Sequence, residues 1–85
     1  MKEFKFTITD PLGMHARPAG LLVKEAAAFQ SKITVAKDGK EADAKRIFGV
    51  MGLAAKQGHE LTFKFEGPDE DAAADKIEAF LKENM

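Results

Sequence analysis

The run Gly13-Met14-His15-Ala16-Arg17-Pro18-Ala19 puts an imidazole two residues before a guanidinium and three before a proline. Proline has no amide proton, and a helix tolerates it in the first turn, where that proton would have had no partner. A helix therefore starts just before Pro18, near His15. At such a start the first amides lack intrahelical acceptors and carry the positive end of the helix dipole, which favours an anion. A phosphoryl group on the imidazole would receive hydrogen bonds from the Ala16 and Arg17 amides and charge-assisted bonds from the Arg17 side chain, with Pro18 fixing the turn that presents them. The dipole contributes roughly 0.3 to 2 kcal/mol and a hydrogen bond to a charged group about 1.5 to 3 kcal/mol, sizes that stabilise a labile phosphoramidate without trapping it. The same positive end disfavours adding a proton to the ring, which leaves a neutral imidazole available as a nucleophile. A plainer reading stands beside this one, in which His15 only caps the helix and Arg17 is a solvated cation.

The elements that must position these residues follow from the spacing of apolar side chains. Lys2 to Ile8 alternates Phe4, Phe6 and Ile8 with Glu3, Lys5 and Thr7, the period of a strand buried on one face. Asp10-Pro11-Leu12-Gly13 breaks that pattern with turn residues and delivers the chain to His15. From Ala16 to about Phe29, apolar Ala19, Leu22, Val23, Ala26 and Phe29 recur at helical spacing, with Lys24 and Glu25 off the stripe. Lys32 to Lys37 alternates again, Asp38-Gly39 signals a hairpin, and Lys40 to Ala44 returns as a weaker strand with Ala42 inward. Lys45 to about Leu53, interrupted by Gly49 and Gly52, is too irregular for a strand and is expected to form a short helix. Leu61, Phe63 and Phe65 mark a fourth strand, ended by Gly67-Pro68. Asp69, Glu70 and Asp71 then bring negative charge to the start of a last helix, whose stripe is Ala73, Ala74, Ile77, Phe80 and Leu81. The predicted class is α+β: a split βαβ arrangement plus a terminal helix, giving a four-stranded antiparallel sheet with three helices on one face.

Composition narrows the chemistry. A chain of 85 residues, 45% hydrophobic and 32% charged, suits a single domain over residues 1–85 with one small core and no spare volume for a deep cleft. That argues against a self-contained enzyme. There is no cysteine, hence no disulfide, thiolate metal site or cysteine nucleophile. Thirteen basic and 14 acidic side chains leave a formal net charge of −1, so overall charge points neither to nucleic acid nor to a membrane surface. The start lacks a signal-peptide core, and no apolar run approaches the roughly 18 residues of a membrane span. A cytoplasmic location without membrane insertion is expected.

The His15 segment resembles the active-site signature of the histidine-containing phosphocarrier proteins, the HPr family, of the phosphoenolpyruvate-dependent sugar phosphotransferase system. The similarity extends over essentially the whole chain. Lys45-Arg46-Ile47-Phe48-Gly49-Val50-Met51-Gly52-Leu53 resembles the family's second signature segment, and Gly67-Pro68-Asp69-Glu70 its approach to the last helix. The resemblance implies an open-faced β-sandwich that carries a phosphoryl group covalently, acts as a monomer and uses no cofactor. His15, through its δ nitrogen, would be phosphorylated by enzyme I and would pass the group to sugar-specific enzyme IIA domains, with Arg17 assisting. It also implies that Gly20, Ile47, Phe48, Met51, Gly52 and Ala55 form an apolar docking patch ringed by Lys24 and Lys45. From the residues alone, Phe48 and Met51 are open to a plainer role as core, Met51 evenly so.

One departure from the family stands out. Gram-positive members carry a regulatory serine, phosphorylated by a dedicated kinase, where this chain has Arg46. That switch is absent at this position, and a permanent positive charge does not mimic a phosphoserine of about −1.5 to −2. Arg46 either enlarges the basic docking rim or is an exposed helix-start residue of no consequence. Ser31, the sole serine, is expected away from the docking patch. His59 and His15 without a carboxylate cluster at ligand spacing are poor evidence for metal, so none is expected and His59 should face solvent in a loop. The acidic run Glu66 to Asp71 lacks calcium-loop spacing and is expected to be a solvated helix start. Two other functions share these features. One is a nitrogen-related or dihydroxyacetone-kinase-related phosphocarrier; the other is an HPr-like regulatory binding module, although relatives of that kind typically lack the histidine.

Overall fold

The computed structural model describes residues Met1–Met85. Seven elements follow in the expected order: β1 (Lys2–Thr7), α1 (Ala16–Ala27), β2 (Lys32–Lys37), β3 (Lys40–Asp43), α2 (Ile47–Gly52), β4 (Glu60–Glu66) and α3 (Glu70–Asn84). The strands form one sheet in the order β1-β4-β2-β3 with every neighbouring pair antiparallel. Register follows the hydrophobic alternation, because a slip by one residue would turn every apolar side chain to water. Phe4 lies opposite Phe63 and Phe6 opposite Leu61 across β1 and β4, while Ile33 faces Phe65 and Val35 faces Phe63 across β2 and β4. Phe4 stacks on both Phe63 and Phe65, with ring centroids 5.4 and 5.5 Å apart, the offset geometry that aromatic pairs favour. Between β2 and β3, Asp38 (φ 51°) and Gly39 (φ 83°) form the two-residue turn, whose left-handed residues match strand twist.

Leu22 and Ala26 of α1, Val50 of α2, and Ile77 and Leu81 of α3 bury against Ile33, Val35, Leu61, Phe63 and Phe65 in one core cluster. No helix is long and apolar enough to cross a membrane. Two boundaries differ from expectation. α1 stops at Ala27, and Phe29 packs on the core from a turn in which its amide bonds to the Ala26 carbonyl. α2 begins only at Ile47, because the Lys45 amide is held by Asp43 Oδ1 at 2.8 Å and Arg46 is extended.

The acidic run at the start of α3 is solvated at Glu66 and Asp71, as expected, but not at Asp69. Asp69 turns its carboxylate away from its own helix and accepts the Gln30 and Ser31 amides, each at 2.9 Å, and the Ser31 hydroxyl. Ser31 is fully buried. Its hydroxyl and amide need acceptors once removed from water, and Asp69 is the group in reach, taking the exposed Gln30 amide as well. The Ser31 hydroxyl first, and then the Gln30 amide, hold the Asp69 carboxyl below its ordinary range.

Candidate functional site

The loop between β1 and α1 is built to deliver His15 to a helix head. Asp10 Oδ1 accepts the Leu12 amide at 2.8 Å, and the Gly13 amide closes back on the Asp10 carbonyl at 2.9 Å. Gly13 sits at φ +66°, and a Cβ there would lie 2.7 Å from both the Ala55 carbonyl oxygen and Lys56 Cα. Only glycine fits that conformation and that clearance. Buried Met14 anchors the next residue to the core, and its amide donates to the Ala55 carbonyl at 2.9 Å.

His15 is the N-cap residue of α1, with extended backbone (φ −102°, ψ −177°) and no side-chain capping bond. Its ring is therefore not spent on the helix, contrary to the plainer reading. The first helical bond runs from the Ala19 amide to the His15 carbonyl at 3.0 Å. The amides of Ala16 and Arg17 find no acceptor in the protein, and Pro18 has none to offer. Two donors thus stand free beside the imidazole, where the helix dipole is positive and the first turn has no acidic residue. Ala16 and Arg17 are exposed, His15 is half-buried and Pro18 is buried. Arg17 makes no ion pair. His15, Arg17 and Pro18 share an open depression of about 340 Å3 with Asp10, Leu21 and Glu83. Such a site can hold a small tetrahedral anion bonded to the ring and leave its far side open to a second protein.

The sequence-expected docking residues separate into surface, hinge and core. Phe48 is 87% exposed and Met51 37%, so both reach the surface. Gly20 of α1 lies against Ile47 of α2, where a Cβ would stand in ordinary contact with Ile47 Cδ1 at 3.8 Å. Ile47 is half-buried and packs on the core, whereas Lys24 and Gly52 are exposed. Ala55 corrects the expectation: it is 4% exposed and belongs to the core, because its carbonyl must reach Met14. Lys45 is half-buried, and its ammonium donates to the Phe29 carbonyl at 2.7 Å, which makes it a strut as well as a charge. The Arg46 side chain is 81% exposed and lies 4.0 Å from Asp43, a pairing of little energetic weight at that exposure.

Other residues at the site escape a linear reading. Leu12 is 73% exposed and Leu21 42%, and both line the His15 depression. Glu83 arrives there from the end of α3, where the Thr9 and Asp10 amides bond to the Met85 carbonyl. An apolar residue in the turn was the one visible signal; Glu83 lies 68 positions from His15 and left none. His59 lies in a loop, as expected, but is half-buried rather than fully solvent-facing, and its ring accepts a main-chain bond within its own turn. No group of three or more His, Asp or Glu side chains is gathered as a metal site.

Residues 2–83 match the family described as the PTS HPr component phosphorylation site. The chain is 51% identical over 83 residues to the phosphocarrier protein HPr of Lysinibacillus sphaericus, covering 98% of this chain and 94% of that protein. The solved structure of a mycoplasma histidine-containing phosphocarrier protein superposes with a TM-score of 0.94 at 40% identity, covering 96% of this chain and 93% of that one. The Bacillus subtilis catabolite repression protein Crh superposes with a TM-score of 0.78 at 40% identity, covering 100% of this chain and 98% of that one, and its crystal form is a swapped dimer.

Proposed function

This chain belongs to the HPr family of phosphocarrier proteins, and on that footing we propose that His15 takes a phosphoryl group from phosphorylated enzyme I and gives it to enzyme IIA domains in sugar uptake. The δ-nitrogen lone pair attacks phosphorus as the bond to enzyme I breaks, and that donor keeps the bonding electron pair. In the second transfer the His15 imidazole is the leaving group and the IIA domain supplies the nucleophile. The residues around the ring serve both directions, because they bind the phosphoryl oxygens and not the departing or arriving protein.

The observation that carries this reading is the pair of unpartnered Ala16 and Arg17 amides beside an uncommitted His15 ring. Donors that need no rearrangement stabilise developing charge on the oxygens at the moment of transfer. The Arg17 guanidinium, free of any carboxylate, adds charge-assisted bonds. Phe48, Met51 and Gly52 present the apolar surface on which both partners dock, with Gly20 and Ile47 setting its shape and Lys24, Lys45 and Arg46 its basic rim. The domain works in the cytoplasm as a monomer and is consumed and regenerated as a carrier.

Incubation with phosphoenolpyruvate and a general enzyme I is expected to load one acid-labile, base-stable phosphoryl group, and His15→Ala to abolish loading. A label that survives acid, or that persists in the variant, overturns the reading. Arg46 in the place of the regulatory serine keeps open a second partner set, that of a nitrogen-related or dihydroxyacetone-kinase-related system. Transfer from the loaded protein to a sugar-specific IIA domain, compared with transfer to the corresponding domain of those systems, separates the two.

A further inference from the structure

His59 lies in the connection between α2 and β4, well away in sequence from the residues assigned to phosphoryl transfer. Its Nδ1 accepts the Lys56 amide at 3.0 Å, so the ring proton sits on Nε2. The Lys56 N–H and the Ala55 carbonyl are two ends of one planar peptide group. That carbonyl accepts the Met14 amide at 2.9 Å, and Met14 immediately precedes His15. One rigid unit is therefore gripped at one end by the His59 ring and grips the His15 loop at the other.

The surroundings leave this unit little freedom. The His59 amide returns to the Lys56 carbonyl at 3.0 Å, the His59 carbonyl accepts the Ile8 amide at 3.0 Å, and the Gly58 amide reaches the Ile8 carbonyl at 2.8 Å. Gln57 Nε2 adds a bond to the Thr9 carbonyl at 3.1 Å. The turn is thus laced to the end of the strand that leads into the His15 loop. Ala54, just before the gripped peptide, is held in left-handed backbone at φ 53°, a conformation that a residue with a Cβ adopts only when its neighbours enforce it.

We propose that His59 is a positioning residue for phosphoryl transfer: its neutral imidazole fixes the Ala55–Lys56 peptide in the orientation that holds Met14, and so the His15 loop, in place. Protonation removes the acceptor, because both ring nitrogens of a charged histidine are donors. The charged groups around His59 are Lys56 in its own turn, Lys37 and Asp38 from the β2–β3 hairpin, and Glu60 of β4. Lys37 lies 3.9 Å from Asp38, and Glu60 lies 4.0 Å from Lys5. The role rests on the reading of His15 as the phosphoryl acceptor.

The test uses the whole chain with His59→Ala and His59→Asn. The asparagine Oδ1 stands as many bonds from the backbone as Nδ1 does and accepts without titrating. In His59→Ala, hydrogen exchange at the Lys56 and Met14 amides is expected to quicken about two- to tenfold, and transfer from enzyme I to slow by a similar factor, the span of one hydrogen bond. His59→Asn restores both. Unchanged Met14 exchange in His59→Ala overturns the grip. Quicker exchange with unaltered transfer, or a folded His59→Asn that rescues neither, overturns the positioning role. If His59→Ala fails to fold, His59→Gln, whose side-chain oxygen stands one bond further from the backbone than Nδ1, takes its place beside His59→Asn, and equal Met14 exchange and equal transfer in the two overturn the proposal. A wild type that accepts no phosphoryl group refutes the carrier reading instead, while amide exchange still reports on the grip.

Discussion

The heads of α1 and α3 start from similar material and are finished in opposite ways. Each begins with a polar N-cap residue that makes no capping bond to its own helix. At α3 the first turn carries Glu70 and Asp71, and the Asp69 carboxylate is saturated by three donors from the α1–β2 junction. At α1 the first turn carries no acid, and the Ala16 and Arg17 amides have no partner. The helix dipole is equally positive at both ends. One end has its N-cap carboxylate committed to holding the fold together, and the other keeps two free amides, which suits the anion site proposed there.

Giving α1 the acidic first turn of α3 should therefore separate stability from transfer. Ala16→Glu places a carboxylate at the first helical position, which favours the helix by about 0.3 to 1 kcal/mol. It also occupies or repels the phosphoryl position, so the rate of loading from enzyme I is expected to fall by about tenfold or more, the effect of roughly 1.4 kcal/mol or more on the barrier. Thermal melting and single-turnover transfer read the two effects on one sample. A variant that melts higher and still transfers at the wild-type rate would show that the free amides are incidental.

The converse change, at the saturated end, should do the reverse. Asp69→Asn keeps one acceptor but loses the charge and the second carboxylate oxygen, so the links to Gln30 and Ser31 weaken while His15 is untouched. The pH dependence carries a definite sign. Hydrogen bonds from Ser31 and Gln30 hold the folded carboxyl below its ordinary value, which in the unfolded chain is about 3.9. The folded-state value is the lower one, so the stabilisation is fully present above the unfolded value and disappears as pH falls through the folded one. Urea melts from neutral pH downward are expected to show Asp69→Asn less stable at neutrality, with the gap to the wild type closing in acid. Phosphoryl transfer at neutral pH should stay within about twofold of the wild type, the spread of an uninvolved site.

The same contrast explains what a linear reading could reach. The strands and long helices were visible because Phe4, Phe6, Leu61, Phe63 and Phe65 alternate and Leu22, Ala26, Ile77 and Leu81 recur at helical spacing, and burial follows period. The head of α1 was visible because its parts are local: His15, the two amides and Pro18 lie within four consecutive residues, and a proline in a first turn dictates which amides stay free. The head of α3 was visible only as charge. Its use of Asp69 spans 38 and 39 residues to Ser31 and Gln30, and nothing in the periodicity of either segment records that pairing. Lys45 on the Phe29 carbonyl and Glu83 beside His15 were hidden for the same reason. Ala55 was misplaced because it was grouped with the docking patch by resemblance alone, whereas it is buried and its carbonyl accepts the Met14 amide.

The third helix head supplies the finer test. α2 begins at Arg46 in extended backbone without a side-chain acceptor, and no acid follows in its first turn. Its Phe48 and Gly49 amides are as unpartnered as those of α1. Yet α2 has no nucleophile at its head and spans only six residues, so its free amides are an unmet cost and not a site. Arg46→Ser supplies the missing acceptor in a backbone conformation suited to capping. It is expected to raise stability by about 1 kcal/mol, or about 4 to 8 °C in melting temperature for a domain of this size. Loading of His15 from enzyme I should be unaltered once enzyme I is saturating, because α2 touches the docking surface and not the reacting atoms. A higher melting temperature with unchanged loading would establish that capping a helix head is harmful only where the free amides face the histidine. Loss of loading at saturating enzyme I would instead tie α2 to the chemistry and dissolve the distinction between the heads.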